Sequence, residues 1–408
     1  MNKKPIYADH SATTRVRPEV VEAMKEVLEV DFGNPSSIHS FGRKAKKYLN
    51  EARANISAAI NANEDKIYFT SGGTESNNTV IFGATNFFES RLNNLSKDKH
   101  LIVSKIEHSS VKEPFEYLEK KGWKVSWINV DNEGFVSLDE LKNKITAKTF
   151  LVSIIYANNE IGTIQNLKKI SEICQERSVL LHTDAVQAFA KIPINVKECE
   201  IDFITFSSHK IYGPKGIGAV YAKSNLISPV LVGGGQENNL RAGTENLPGI
   251  VGFGLAAKLL NCEIIENTKM LRKYQIALME SFQENNNVVL TGPGLGKVKE
   301  NVPHEKFIYR LPGHVSFCCK GIEGESLVLQ LDLKGIAVSS ASACKSNEQG
   351  SITKVEPSHV LKACSVPQEY IKGSLRLTLG RENTEEEVFY VKDVINQLCS
   401  NKFTSCLR

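Results

Sequence analysis

The chain has 408 residues, 41% of them apolar and 24% charged, with a formal net charge of +4. A single hydrophobic core stops growing near about 250 to 300 residues, so this length points to a two-domain protein. So small a charge gives no reason to expect nucleic acid as the main partner, and the two lysines of MNKKPIYADHSATT have no apolar run behind them, which argues against a signal peptide or a membrane span. The nine cysteines show neither CxxC spacing nor a paired Cys/His pattern, so no disulfide framework and no metal site is expected, and a reducing, cytoplasmic location is.

In chain order, Ala45, Leu49, Ala52, Ile56 and Ala59 recur by fours and threes and predict a helix. Helical patterns then alternate with the strand-like runs KIYFTSG, HLIVSKI, KVSWINV, TFLVSIIYA, VLLHTDA, DFITFSS and GAVYAK. This alternation predicts an α/β fold with a mostly parallel sheet, and polar residues gather at the C-terminal ends of the strands, where such sheets bind ligands. A large domain over residues 17–254 is expected, with a smaller α+β domain over 255–408 that the segment 1–16 joins. Within the latter, NNNVVLTGPGLGKVKENVPHEK reads as a loop whose PGLGKVK is a surface turn, because it lacks the spacing and the Lys-Ser/Thr ending of a phosphate loop. GHVSFCCK and SLRLTLG read as strands.

Several polar residues sit where chemistry is expected. In FTSGGTESNNTVIFGA a strand runs through Gly73 and Thr74 into a helix, so free backbone N–H groups face the turn; they suit a phosphate, and equally a plain cap by Thr74 or Ser71. His108 follows another strand, where an imidazole can stack on a pyridine ring and move protons, or simply cap a helix. Asn158 and Asn159 offer neutral donors to a ring oxygen or a carboxylate, or serve a turn. Asp184, with Gln187 a turn later, can pair with a protonated pyridine nitrogen, cap a helix, or both. Lys210 in SSHKIYGPKGIGA lies among Ser207, Ser208 and His209 before a glycine-rich turn, which suggests a Schiff-base amine holding a phosphorylated aldehyde. Cys344 stands apart from the other cysteines, in a run of small and polar residues beside Lys345; the run reads as an exposed mobile loop, and the ammonium favours the thiolate.

Taken together, YADHSATT, FGNPSSIHSFG, FTSGGTESNN, EHSSV, NNEIG, TDAVQ, SSHKIYGPKGIGA, RAGTEN, SSASAC, EPSHVL and GSLRLTLGR resemble, in order and over nearly the whole chain, the cysteine desulfurases, class V members of the fold-type I pyridoxal-phosphate enzymes. The resemblance implies pyridoxal 5'-phosphate as cofactor, bound covalently by Lys210, stacked by His108, with Asp184 at its ring nitrogen and Gln187 at its ring oxygen. It further implies Gly73, Thr74, Ser207 and His209 near the phosphate, with Asn159 near ring or substrate. Thr244 would reach the phosphate of a second subunit, making a homodimer, and Arg376 would clamp the substrate carboxylate.

By the same resemblance L-cysteine is converted to alanine, and its sulfur passes as a persulfide on Cys344 to an acceptor such as an iron–sulfur scaffold protein. A selenocysteine lyase, or another class V enzyme acting on a different amino acid, is the nearest alternative, and a non-catalytic scaffold of a sulfur-relay assembly is one of another class. Two features depart from the family pattern: Ala341 stands where glycine is expected, and the stretch between Cys344 and Glu356 is about twice the expected length, which loop-closure entropy tolerates.

Overall fold

The computed structural model describes residues 5–91, 99–300, 309–341 and 357–400. After a short first strand, β1 (Ile6–Tyr7), the seven runs read as strands become β2 (Ile67–Thr70), β3 (His100–Ser104), β4 (Lys124–Ile128), β5 (Thr149–Ser153), β6 (Leu180–Asp184), β7 (Phe203–Ser207) and β8 (Gly218–Ala222). These seven form one sheet in the order β2-β8-β7-β6-β5-β3-β4. Only β8 runs against its neighbours; the other pairings are parallel. In β3, β7 and β8 every residue is buried, as continuous apolar runs covered on both faces require.

The predicted helix spans Ser40–Ala58, opened by His39, whose Nδ1 accepts from the Gly42 N–H at 3.3 Å. Its Ala45, Leu49, Ala52 and Ile56 enter the main core beneath the sheet. Helix Leu247–Gln283 then ties that core to a second one: Ile250, Phe253 and Ala257 pack in the first, and Leu278, Met279 and Phe282 in the second. It is long and apolar enough to cross a membrane, yet half of its apolar window is buried inside the protein, which is the signature of a core helix.

The second core lies around a three-stranded antiparallel sheet, in which β10 (His314–Cys319) pairs with β9 (Val288–Leu290) on one side and β12 (Ser374–Thr378) on the other. β1 pairs in parallel with β11 (Ile336–Ala337), so the N-terminal segment starts on this sheet's side before crossing to the large sheet, where Thr14 donates to the His209 carbonyl at 2.9 Å. Two local expectations are corrected. The asparagine-rich loop contains β9, and the PGLGKVK turn is the short helix Leu295–Glu300. Val298 is the reason: it is 1% exposed and joins the second core, which anchors a run whose glycines alone suggest a surface turn.

Arg310 stands where the two parts meet: its backbone bridges Thr163, beyond β5, and its side chain is spent within the second part. It is fully buried, and its guanidinium donates to the carbonyls of Thr291 (2.7 Å), Pro293 (3.0 Å) and His314 (2.9 Å) and to Ser316 Oγ (2.9 Å). Burial lowers its pKa to about 9, so it stays charged at neutral pH. Arg310→Ala removes four buried hydrogen bonds at once, although Gln275 still reaches the His314 carbonyl and Thr291 and Ser316 still bond to each other, and it is predicted to cost about 3 kcal/mol. Arg310→Lys, which lacks the planar fork, recovers only part of that. Denaturant unfolding checks both, and an unchanged midpoint for the alanine variant contradicts this role.

Candidate active site

The parallel register brings the C-terminal ends of β5, β6 and β7 to one edge, and a cavity of about 390 Å³ opens there. Ten of the residues singled out in the sequence line it: Gly73, Thr74, His108, Asn159, Asp184, Gln187, Ser207, His209, Lys210 and Arg376. Thr244 does not; it is exposed, in the segment before helix Leu247–Gln283. Cys344 lies outside the described residues, although Ala341, three residues before it, lines the cavity.

Asp184 ends β6 and is only 4% exposed. Its carboxylate accepts from Asn77 Nδ2 at 2.8 Å and from the Val186 N–H at 2.9 Å, so it serves both as a local cap and as a charge fixed at the cavity. Asn77 is oriented in turn by Thr205 Oγ1, which donates to its Oδ1 at 2.6 Å, and it reaches Ser110 Oγ at 2.8 Å. His108 caps the helix Ser109–Lys120: its Nδ1 accepts from the Ser110 N–H, which leaves Nε2 to carry the ring proton. Burial pushes its pKa below the usual value; Asp184 opposes that shift and Lys210 adds to it, so the ring is neutral at pH 7.

Lys210 closes the short turn Ser208–Lys210 after β7, and its amine donates to the carbonyls of Ser11 (2.6 Å) and Ala12 (2.7 Å) in the crossing N-terminal segment. Gly73 opens the helix Gly73–Arg91, whose first N–H groups share their end of the cavity with Ser207 and His209. Burial, then Lys210, Lys215 and Lys191, lower the His209 pKa to about 4, so it is a neutral donor there. A Cβ on Gly73 would come within 3.0 Å of Val186, so any side chain here fills the cradle. Arg376 in β12 is 6% exposed; it donates to Asp9 Oδ1 at 2.8 Å and the Asn159 carbonyl at 3.2 Å, and among the described residues its Nε has no partner. The guanidinium is thus aimed but not saturated.

The two asparagines part company. Asn158 is spent on the turn, donating to the Ile106 carbonyl and accepting from the Glu160 and Ile161 N–H groups, whereas Asn159 lines the cavity. Sequence reasoning missed Asn77, Ser11, Ala12, Asp9 and Glu160. Asn77 stands three residues after Thr74 in the same motif and was within reach; Ser11 and Ala12 act through backbone carbonyls, which leave no side-chain signal. Glu160 lines the cavity, and burial raises its carboxyl to about 7 against the opposing pull of Ser358 and Arg376.

The class-V aminotransferase family model matches residues 6–391. The cysteine desulfurase IscS of Dictyoglomus turgidum is 46% identical over 400 residues, covering 97% of this chain and 95% of that protein. The one from Methanosarcina thermophila is 46% identical over 97% of this chain and 92% of its own length. A solved NifS-like protein superposes with a TM-score of 0.85 at 34% identity, covering 97% of this chain and 99% of that one. The chain belongs to the class-V aminotransferase family. Within that family it is a member of the cysteine desulfurases.

The cavity fits the cofactor implied by that membership, pyridoxal 5'-phosphate. A buried carboxylate suits the ring nitrogen, an amine the aldehyde, and a helix N-terminus with neutral donors the phosphate. Lys210 lines this cavity, whereas Lys191 and Lys215 line separate ones. Borohydride reduction of the cofactor-loaded protein followed by peptide mass spectrometry is predicted to fix the label on Lys210 alone; a label on Lys191 or Lys215 contradicts this placement.

Proposed function

We propose that the protein is a pyridoxal-phosphate-dependent cysteine desulfurase, which takes sulfur from L-cysteine, leaves alanine, and holds the sulfur as a persulfide on Cys344. The observation that carries the reading is that Lys210, Asp184, His108 and Arg376, from distant parts of the chain, line one cavity. The names of the relatives support the desulfurase over a selenocysteine lyase, and a pure scaffold has no use for such a cavity.

Arg376 takes the substrate carboxylate with the donors that Asp9 and Asn159 leave free. The cofactor, when bound, supplies a ring that delocalises negative charge from the substrate α-carbon. Asp184 holds the proton at the ring nitrogen that makes this delocalisation effective. Lys210 removes the proton at the α-carbon and later returns one to the product. His108 Nε2 moves protons near the substrate from a neutral ring. The Cys344 thiolate attacks the substrate sulfur; the carbon–sulfur bond breaks, its electron pair stays with the carbon skeleton, and protonation gives alanine. Cys344 keeps the sulfur for an acceptor protein, for which an iron–sulfur scaffold is the natural candidate.

We further infer a homodimer in which Thr244 completes the phosphate site of the partner. Its exposure outside its own cavity supports this, as do the exposed Phe32 and Phe41, whose rings lie 5.7 Å apart on the surface. A cytoplasmic location is supported by the seven cysteines of the described residues, all of them free.

Cys344→Ser tests the reaction. The cavity residues lie outside the substituted position, so cofactor content and the spectral response to added cysteine are expected to match the parent. Alanine and sulfide release should fall to background, because a hydroxyl is a far weaker nucleophile toward sulfur than a thiolate. Alanine formation at the parent rate contradicts the role of Cys344.

A further inference from the structure

Lys191 is a half-buried lysine that the mechanism above does not use. It follows Gln187 by four residues in TDAVQAFAKIP, a stretch folded as successive turns. Ala190, just before it, has φ +53°, a left-handed conformation that alanine adopts at a cost of about 1 kcal/mol or more. The chain accepts that strain and turns back beneath Gln187, where Lys191 Nζ donates to Gln187 Oε1 at 3.1 Å. The other end of the amide, Nε2, donates to the Ser11 carbonyl at 2.9 Å, the same oxygen that accepts from Lys210.

An amide has a donor end and an acceptor end, and an ammonium can only donate. Lys191 as an ammonium and the acceptor-only Ser11 carbonyl together fix which way Gln187 faces: the oxygen points to the lysine and the NH2 group to the cavity, with one of its two N–H bonds on Ser11 and the other to spare. We propose that Lys191 is a positioning residue, which turns the Gln187 amide so that an N–H is presented to the ring oxygen of the cofactor. This deepens the cofactor reading above and rests on it.

The surroundings of Lys191 make a purely structural role a poor explanation. Its far side meets a small cavity of about 50 Å³ lined also by His10, Tyr212, His314 and Arg381, and among the described residues no carboxylate lines that cavity. His10 and His314 are held neutral by burial, and Lys210 and Arg376 are further cations acting on it. A lysine placed among cations without an anion is costly. Burial, then Lys210 and Arg376, accordingly lower its pKa to about 7. An anionic ring oxygen reached through Gln187 supplies the missing negative charge and favours the ammonium form.

Lys191→Met, Lys191→Arg, Gln187→Leu and the Lys191→Met/Gln187→Leu pair, each full-length and loaded with pyridoxal 5'-phosphate, test this by pH titration of the visible absorption band. A donor on the ring oxygen stabilises its anionic form and so lowers the pH at which the cofactor–lysine chromophore gives up its proton. Lys191→Met is expected to keep its cofactor and to raise that midpoint by about one pH unit, a tenfold change in proton affinity. Lys191→Arg is expected to return it to near the parent value, and Lys191→Met should add nothing in the Gln187→Leu background. A parent-like midpoint in Lys191→Met overturns the proposal. So does a shift that persists in full without Gln187, because the lysine then acts by charge alone. A parent protein that takes up cofactor without any such band overturns the cofactor reading and this inference with it, whereas a parent band alongside an unmoved Lys191→Met overturns this inference only.

Discussion

The buried carboxylate of Asp184 is the constraint around which the site is arranged. The carboxylate is only 4% exposed and is held in place by Asn77 Nδ2 and the Val186 N–H, so its direction at the cavity is fixed. A cation at about 4 Å contributes roughly 4 kcal/mol at an effective dielectric constant near 20. In the proposed function, a protonated pyridine nitrogen supplies that cation beside Asp184. The parallel register sets the position of the carboxylate: Asp184 pairs with Thr205 on β7, and Thr205 orients the same Asn77 that donates to Asp184. Five residues beyond Thr205 the chain reaches Lys210, so acid and amine are set by the geometry of neighbouring strands.

The three-stranded sheet contributes a guanidinium that the edge of the large sheet does not. Arg376 comes from β12, and its direction is fixed by Asp9 and Asn159, one from the N-terminal segment and one from the large sheet. Asp9 also accepts from Ser339 Oγ at 2.6 Å, just before Ala341. In the proposed function, carboxylate recognition is therefore assembled from three separate stretches of chain. The N-terminal segment, which starts beside β11 and runs past Lys210, links these parts physically, and backbone bonds on either side of Arg310, from the Ile164 N–H to the Tyr309 carbonyl and from the Leu311 N–H to the Gly162 carbonyl, join them a second time.

Much of this was legible in the sequence where the physics is local. Seven apolar runs announced seven strands, and the 45-49-52-56 spacing announced a buried helix face. Polar residues at strand ends marked the cavity, because a parallel sheet collects those ends on one edge. What stayed hidden depends on partners far apart or on the backbone. Asp9 and Arg376 are 367 positions apart, and no periodicity connects them. The carbonyls of Ser11 and Ala12 carry no residue-type signal. Val288–Leu290 looked like loop because three residues are too few to show alternation, and only pairing with β10 makes them a strand.

The most direct test of the Asp184 constraint is the protonation state of the cofactor ring nitrogen, read by nitrogen-15 NMR on protein loaded with ring-labelled pyridoxal 5'-phosphate. With the carboxylate in place the nitrogen is expected to be protonated well above the pH at which the free cofactor loses that proton, and Asp184→Ala should lose the signal of the protonated form while still binding cofactor. An unprotonated ring nitrogen in the parent protein at neutral pH, or an unchanged protonated signal in Asp184→Ala, would contradict the central place given to this residue.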